Sequence, residues 1–185
     1  ITFFVDPGKR VYVRRINFTG NTKTRDEVLR REMRQQEGAW ISTKQVERGK
    51  LRLQRTGYFR DVNVETPLVP GVSDQVDVNY AVEEAPGGQF GIGIGFSQNS
   101  GLILTTSLSQ DNFLGSGKRV SFSFNNSDVN SRYSLGYFNP YYTIDGISRG
   151  FNAFYRETNA FDANLSDYDS KNVGSDVAFG VPISE

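Results

Sequence analysis

Four groups of residues carry most of the chemical potential in this sequence. Arg30, Arg31 and Arg34 interleave with Glu32 and Glu37, a pattern that is either a solvated helix face or a patch that docks another protein. Gly91-Ile-Gly-Ile-Gly95 has the look of a phosphate-cradling glycine loop. Its glycines fall at every second position, however, no glycine occupies the sixth place and no helical pattern follows, so dinucleotide binding is rejected. Glycine at alternate positions instead strips one face of a strand, either for tight packing against something bulky or to leave a weakly held edge. Asp162, Asp167 and Asp169 crowd one polar stretch without the Asp-x-Asp-x-Asp-Gly spacing of a calcium loop, and they read as solvated. Trp40 follows Gly38-Ala39 between two helical patterns and is expected in the core.

What the sequence lacks narrows the chemistry further. Its 185 residues include no His and no Cys. That removes Ser-His-Asp catalysis, His-ligated metals, thiolate nucleophiles, zinc knuckles and disulfides. Lys+Arg and Asp+Glu are both 21, so no overall basic field draws in nucleic acid. No apolar run reaches the roughly 18 residues of a membrane-crossing helix. The expectation is a non-enzyme with no catalytic residues, no metal and no cofactor.

The elements that must position these groups fall into two unlike halves. Residues 1–86 hold 15 Lys+Arg, 12 Asp+Glu and 6 Gly, whereas residues 87–185 hold 6, 9 and 13, with 16 of the 24 aromatics. The polar stretch Glu83–Gly88, with Pro86 and two glycines, marks the boundary. In the first half, Val11, Val13, Ile16 and Phe18 make a strand that Gly20-Asn21 stops. Thr24 with Glu27 fits a capping box ahead of Val28, Leu29 and Met33, which predicts a helix ended by Gly38. A second box, Ser42 with Gln45, predicts a helix burying Val46, Gly49 and Leu53, with Gly57 at C′. Strands over Tyr58–Thr66 and Gln75–Val82, joined by a hairpin over Pro67–Ser73, complete a β-α-α-β-β order. Residues 1–6 have no partner in this scheme and are expected to end a preceding unit of a longer chain.

The second half has a period of 2. Phe90, Ile92, Ile94 and Phe96 alternate with glycine; Leu102, Leu104 and Leu108 alternate with Ser and Thr. Val120, Phe122 and Phe124, then Tyr133, Leu135 and Tyr137, Phe151, Ala153 and Tyr155, and Val177, Phe179 and Val181 continue the pattern. About six strands therefore share one apolar and one small, polar face. A soluble sandwich buries the apolar face; a membrane barrel turns it to lipid. Three features favour the barrel. Lys and Arg are almost absent from the apolar face, aromatics gather near strand ends (Phe113, Tyr141, Tyr142 and Phe161), and short turns alternate with longer polar loops such as Asn159–Asn172.

Phe18-Thr-Gly-Asn21, Val28-Leu-Arg-Arg-Glu-Met33, Glu37-Gly-Ala-Trp40, Leu53-Gln-Arg-Thr-Gly-Tyr-Phe59 and Val78-Asn-Tyr-Ala-Val-Glu83 together resemble a POTRA domain. With Phe90–Gly95, Gln110–Gly115, Asn139–Tyr142 and Asp145-Gly146, the chain resembles the BamA family of outer-membrane assembly factors, at the last POTRA domain and the first barrel strands. The resemblance implies an α+β POTRA domain over 7–86, preceded by the end of another POTRA domain over 1–6. Residues 87–185 would then be N-terminal antiparallel strands of a transmembrane β-barrel, too few to close alone.

The resemblance also implies the function. A member of this family is the central subunit of a machinery that folds client barrels into the Gram-negative outer membrane, with its POTRA part in the periplasm. Its implied partners are accessory outer-membrane lipoproteins, unfolded outer-membrane protein clients and outer-membrane lipid, with no nucleic acid. Client-strand pairing falls to Phe90, Gly91, Ile92, Gly93, Ile94, Gly95 and Phe96, beside the closing seam. A second pairing edge is Arg60, Asp61, Val62, Asn63, Val64 and Glu65, and the lipoprotein contact is Arg30, Arg34 and Glu37. Glu37→Lys is then expected to weaken that contact with little effect on folding. The competing readings are a two-partner secretion or translocation porin of the same superfamily, and a soluble adhesion or carbohydrate-binding β-module.

Overall fold

The computed structural model describes residues 10–159 and 169–183. The chain separates into two compact units between Pro86 and Gly87. The strand expected at residues 1–6 lies outside the described residues.

The first unit contains β1 (Tyr12–Thr19), α1 (Asp26–Arg30), α2 (Thr43–Arg55), β2 (Phe59–Glu65) and β3 (Gln75–Glu84). The predicted β-α-α-β-β order is therefore present. Its sheet runs β1-β3-β2, with β1 parallel and β2 antiparallel to the central β3. Strict alternation along β3 puts Val76, Val78, Tyr80 and Val82 on one buried face. Spacing of three to four residues does the same for Val46, Gly49 and Leu53 of α2. Val13, Ile16, Leu29, Phe59 and Val62 complete the core. Tyr80 crosses it to donate its hydroxyl to the Val46 carbonyl at 2.9 Å, and burial pushes that hydroxyl's pKa up to about 12. Gly57 takes a left-handed φ of 73° just after the α2 C-cap Thr56, as C′ glycine does.

Four local expectations are corrected. The first helix is only five residues long and starts from Arg25, not from a Thr24 capping box. The Thr24 backbone N–H is instead taken by the Glu84 carboxylate at 2.6 Å. Gly38 lies eight residues beyond the end of that helix, because residues 38–41 leave helical conformation to pair with β1. Gly38 N–H bonds Val13 O at 2.7 Å, Val13 N–H bonds Ala39 O at 2.9 Å and Ile41 N–H bonds Val11 O at 3.0 Å. Ser42 is the N-cap of α2, but its side chain makes no capping bond, and its own N–H goes to Gln35 at 2.9 Å. Finally, Trp40 is 53% exposed and outside the core. Ile41 packs on the core from the same short strip, so Trp40 faces away, beneath the Arg10 guanidinium at 4.0 Å and edge-on to Tyr12.

The second unit is one six-stranded antiparallel sheet in sequence order, made of β4 (Gly88–Ser97), β5 (Gly101–Gln110), β6 (Arg119–Asn126), β7 (Asn130–Asn139), β8 (Ser148–Asn159) and β9 (Asp169–Gly180). The register keeps the apolar residues together across strands. Phe90 faces Leu108, Leu108 faces Phe122, Phe122 faces Leu135 and Leu135 faces Ala153. Turns at 98–100 and 127–129 alternate with the longer 111–118 and 140–147. The end of the sheet where β4 begins, here the near end, carries Phe113, Tyr141 and Tyr142. Phe161, Asp162 and Asp167 lie outside the described residues. Asp169 opens β9, so Asp169–Asn172 belong to a strand and not to the loop expected over Asn159–Asn172.

Candidate functional site

The edges of the two sheets hold the residues that the sequence singles out for strand pairing and partner contact, and they are built differently. On β1 the outer edge is closed by the chain's own groups. Residues 38–41 cover Val11 and Val13, and beyond them two side chains take over. The Ile16 N–H donates to Glu37 Oε1 at 2.8 Å, while an Arg30 N–H donates to the Ile16 carbonyl at 3.1 Å. Together they satisfy both backbone groups of Ile16 as a neighbouring strand would. Arg30 also bonds Glu37 at 3.2 Å and Asp26 at 2.6 Å. The Ile16 N–H, with help from Arg30, holds the Glu37 carboxyl below the usual carboxylate range. Asp26 and Glu37 raise the Arg30 pKa in turn, the Asp26 hydrogen bond most.

Arg30 and Glu37 meet at the outer edge of β1, where Glu37 accepts from the Ile16 N–H. Reversing the Glu37 charge would remove that acceptor, which argues against the expectation that Glu37→Lys leaves folding little changed. Arg34 donates to the Met33 carbonyl at 3.3 Å and to the Arg31 carbonyl at 3.5 Å.

The opposite edge, β2, has no strand beside it among the described residues. Val62 points into the core while Arg60, Asp61, Asn63 and Glu65 are exposed. Arg60 pairs with Glu83 at 3.2 Å, and Asn63 donates to Asp61 at 2.7 Å. A register shift between Phe59 and Asp61 bends the start of this strand. Charge and a bulge are ordinary means of blunting an edge against indiscriminate pairing.

Sequence reasoning missed Glu84, at the end of β3. Its carboxylate accepts from the Thr22 hydroxyl at 2.9 Å and from the backbone N–H of Lys23 at 3.0 Å and of Thr24 at 2.6 Å. Burial alone would raise its pKa, but these donors outweigh it and hold the group low. No spacing signal could have revealed a partner some sixty positions away.

In the second unit, Phe90, Ile92, Ile94 and Phe96 of β4 are between 62% and 79% exposed. Four large apolar side chains in one row are out of place in water, and the described residues supply no second sheet to cover them. On the opposite face, a side-chain Cβ added at Gly93 or Gly95 would meet only Thr105 Cβ at 3.7 Å or Ile103 Cβ at 3.9 Å, ordinary contact distances. At Gly91 it would sit 2.8 Å from Ser107 Oγ. Among the described residues, therefore, no bulky neighbour demands glycine at 93 and 95. Their consequence is loss of strand propensity. Residues 88–97 pair with β5 without a register break, and no helix follows the glycines.

Residues 11–85 match the POTRA family (surface antigen variable number repeat), and residues 112–185 match the Omp85 superfamily domain. The outer membrane protein assembly factor BamA of Neisseria meningitidis serogroup B is 35% identical over 98% of this chain. The crystal structure of BamA from Haemophilus ducreyi lacking POTRA domains 1-3 superposes with a TM-score of 0.85 at 40% identity, covering 97% of this chain and 34% of that one. The chain belongs to the BamA family. It spans about a quarter of the length of the Neisseria relative, 23%. CdiB from Acinetobacter baumannii aligns over 80% of this chain and 29% of its own with a TM-score of 0.57 at 14% identity, a likeness of fold alone. Within the BamA family the two units are a POTRA domain and the opening antiparallel strands of an Omp85 barrel. The barrel reading of the apolar face therefore replaces the soluble sandwich.

Proposed function

We propose that this chain is the barrel-proximal POTRA domain and the opening barrel wall of a non-enzymatic outer-membrane assembly factor, and that β4 is the strand on which client barrels are templated. The observation that carries the reading is the composition of β4: a lipid-type row of Phe and Ile on one face and, on the other, glycines at 93 and 95 that no described contact requires. In hydrocarbon an unpaired backbone N–H or C=O has no water to turn to, so a strand edge there must be paired. A glycine-weakened strand holds its partner less firmly and exchanges it more easily for the terminal strand of a client. The apolar face meets outer-membrane lipid, and the POTRA unit stands in the periplasm.

Two further surfaces belong to the proposal. The β2 edge, Arg60–Glu65, pairs transiently with unfolded clients before they reach β4. Arg30, Arg34 and Glu37 mark the face toward an accessory lipoprotein, with Glu37 also holding β1 in place. A translocation porin of the same fold is the weaker reading, because similarity to BamA relatives extends across both units at 35–40% identity, whereas the CdiB likeness stops at 14%.

These 185 residues contain no cysteine, and once any cysteine elsewhere in the full-length protein is replaced by serine, a direct crosslinking test is possible. A single cysteine replaces Ile94 in the full-length protein, and a second is placed near the C-terminus of a barrel client. A disulfide confined to stalled, unfolded clients is the expected result. No crosslink, with the protein itself folded, overturns β4 as template.

A further inference from the structure

Outward-facing ionisable side chains are scarce on this barrel wall. Glu157, Lys171 and Asp169 share the far end of β8 and β9, where Glu157 and Lys171 pair at 3.1 Å. At the near end the outward row of β8 begins with Arg149, in register with Phe179 on β9 and two residues before Phe151. The neighbouring cations are otherwise engaged: Arg119 pairs with Asp111, and Arg132 stacks on Phe154 on the inward face. Arg149 has no ion pair among the described residues. Its guanidinium lies 4.0 Å above the Tyr142 ring, which in turn sits 6.1 Å from Phe179.

Tyr142 is held in place by its turn. Its N–H bonds the Ile147 carbonyl at 2.8 Å, and Gly146 N–H bonds Thr143 O at 3.1 Å. The tip of that turn is Ile144, fully exposed, and Val181 beyond β9 is 69% exposed. The result is a cation without an ion pair among the described residues, held over an aromatic ring at the end of an apolar wall, with exposed aliphatic side chains on the same turn and just beyond β9. A cation–π contact of this kind uses none of the guanidinium's N–H groups as hydrogen-bond donors, so they remain for a bidentate acceptor. At the boundary of a lipid-facing wall the acceptor of matching shape and charge is a phosphodiester whose acyl chains lie along the apolar residues.

We infer that Arg149, held over Tyr142, binds the headgroup phosphate of an anionic glycerophospholipid, one with no compensating headgroup cation, in the leaflet at the near end of the barrel. This rests on the proposal that the apolar face meets lipid. Anchoring at this turn would fix the height of β7 and β8 in the membrane.

The test uses the full-length protein in nanodiscs containing equal amounts of phosphatidylglycerol and phosphatidylcholine, with native mass spectrometry of the lipid retained after release. The wild type should retain phosphatidylglycerol about fivefold over phosphatidylcholine, the gain of one interfacial cation. Arg149→Leu, which suits the apolar face, should abolish the preference while the barrel stays heat-modifiable on gels. Arg149→Lys should keep part of it. An equal preference in wild type and Arg149→Leu overturns the assignment. Displacement of the lipid by millimolar inorganic phosphate would make this a free-anion site and overturn the lipid source. Retention of neither lipid by the wild type would instead count against the lipid-facing wall itself, and so separates the two failures.

Discussion

Replacing both Gly93 and Gly95 by Val tests the central proposal most directly. The positions tolerate side chains, because a Cβ at either would rest at ordinary contact distance from Thr105 or Ile103 of β5. Each glycine in a strand interior costs roughly 0.5–1 kcal/mol relative to alanine. The new cross-strand pairs, Val opposite Thr105 and Val opposite Ile103, add about 0.2–1 kcal/mol each. The double substitution should therefore stabilise β4 as a strand by about 1.5–4 kcal/mol, or some tenfold to several-hundredfold in the ratio of paired to frayed states. Gly91→Val serves as a contrast. Its Cβ would fall 2.8 Å from Ser107 Oγ, so part of the gain is spent moving that hydroxyl. The assay is client assembly by the full-length protein in proteoliposomes, read as the fraction of heat-modifiable client over time. Hydrogen exchange across residues 88–97 measures β4 itself. Slower exchange in β4 together with slower client assembly is the expected pair. Slower exchange with unchanged assembly would refute the claim that fraying of β4 limits client exchange.

Three predictions concern the POTRA domain. Glu37→Ala should accelerate hydrogen exchange at the Ile16 amide about tenfold and destabilise the domain by about 1–3 kcal/mol, the cost of a stranded buried donor, whereas Glu37→Gln should preserve much of the protection through its amide oxygen. Glu84, Glu37 and Asp77 are all held below the ordinary carboxylate range. Their stabilisation is therefore present above the unfolded-state pKa near about 4 and is lost as pH falls through the lower folded value; acid melts of Glu84→Gln should show a shallower loss of stability below pH 4 than the wild type. Gly49→Ala should cost about 1–3 kcal/mol by overpacking, since its Cβ would lie 2.8 Å from the Tyr80 hydroxyl and 3.1 Å from Met33 Sδ. Combining it with Tyr80→Phe should recover part of that loss in a urea melt, and strict additivity would show that the clash is elsewhere.

What the sequence reveals here depends on the range of the interaction that decides each feature. Period-2 alternation identifies β3 through Val76, Val78, Tyr80 and Val82, and all six barrel strands, because one face of each has a single environment along its length. The face of α2 is equally clear from Val46, Gly49 and Leu53. Where a distant backbone intervenes, local signals lose. Thr24 has capping-box chemistry, yet the Glu84 carboxylate takes its N–H and the helix starts later. Residues 38–41 leave helical conformation because β1 offers them a ladder, and that choice also turns Trp40 outward. The stack of Arg149 on Tyr142 depends on a turn geometry that spacing does not disclose.

The three strand edges follow one physical rule applied in two solvents. In water an unpaired backbone group is satisfied by solvent, so the hazard of an edge is unwanted pairing, and the POTRA domain answers it in two ways. It closes β1 with residues 38–41 and the Arg30–Glu37 pair, and it leaves β2 open but charged and bulged. In lipid the same unpaired group costs several kcal/mol, so β4 cannot be left open and cannot be blunted with charge. What remains adjustable is the strength with which it is held. Glycine at 93 and 95 lowers that strength without adding a polar atom to the lipid face, which Phe90, Ile92, Ile94 and Phe96 keep apolar. A strand that must be paired yet is weakly held is suited to exchanging one partner strand for another. On the proposed reading, that exchange needs no cofactor or catalytic group, because the incoming strand supplies the backbone hydrogen bonds that the departing one gives up.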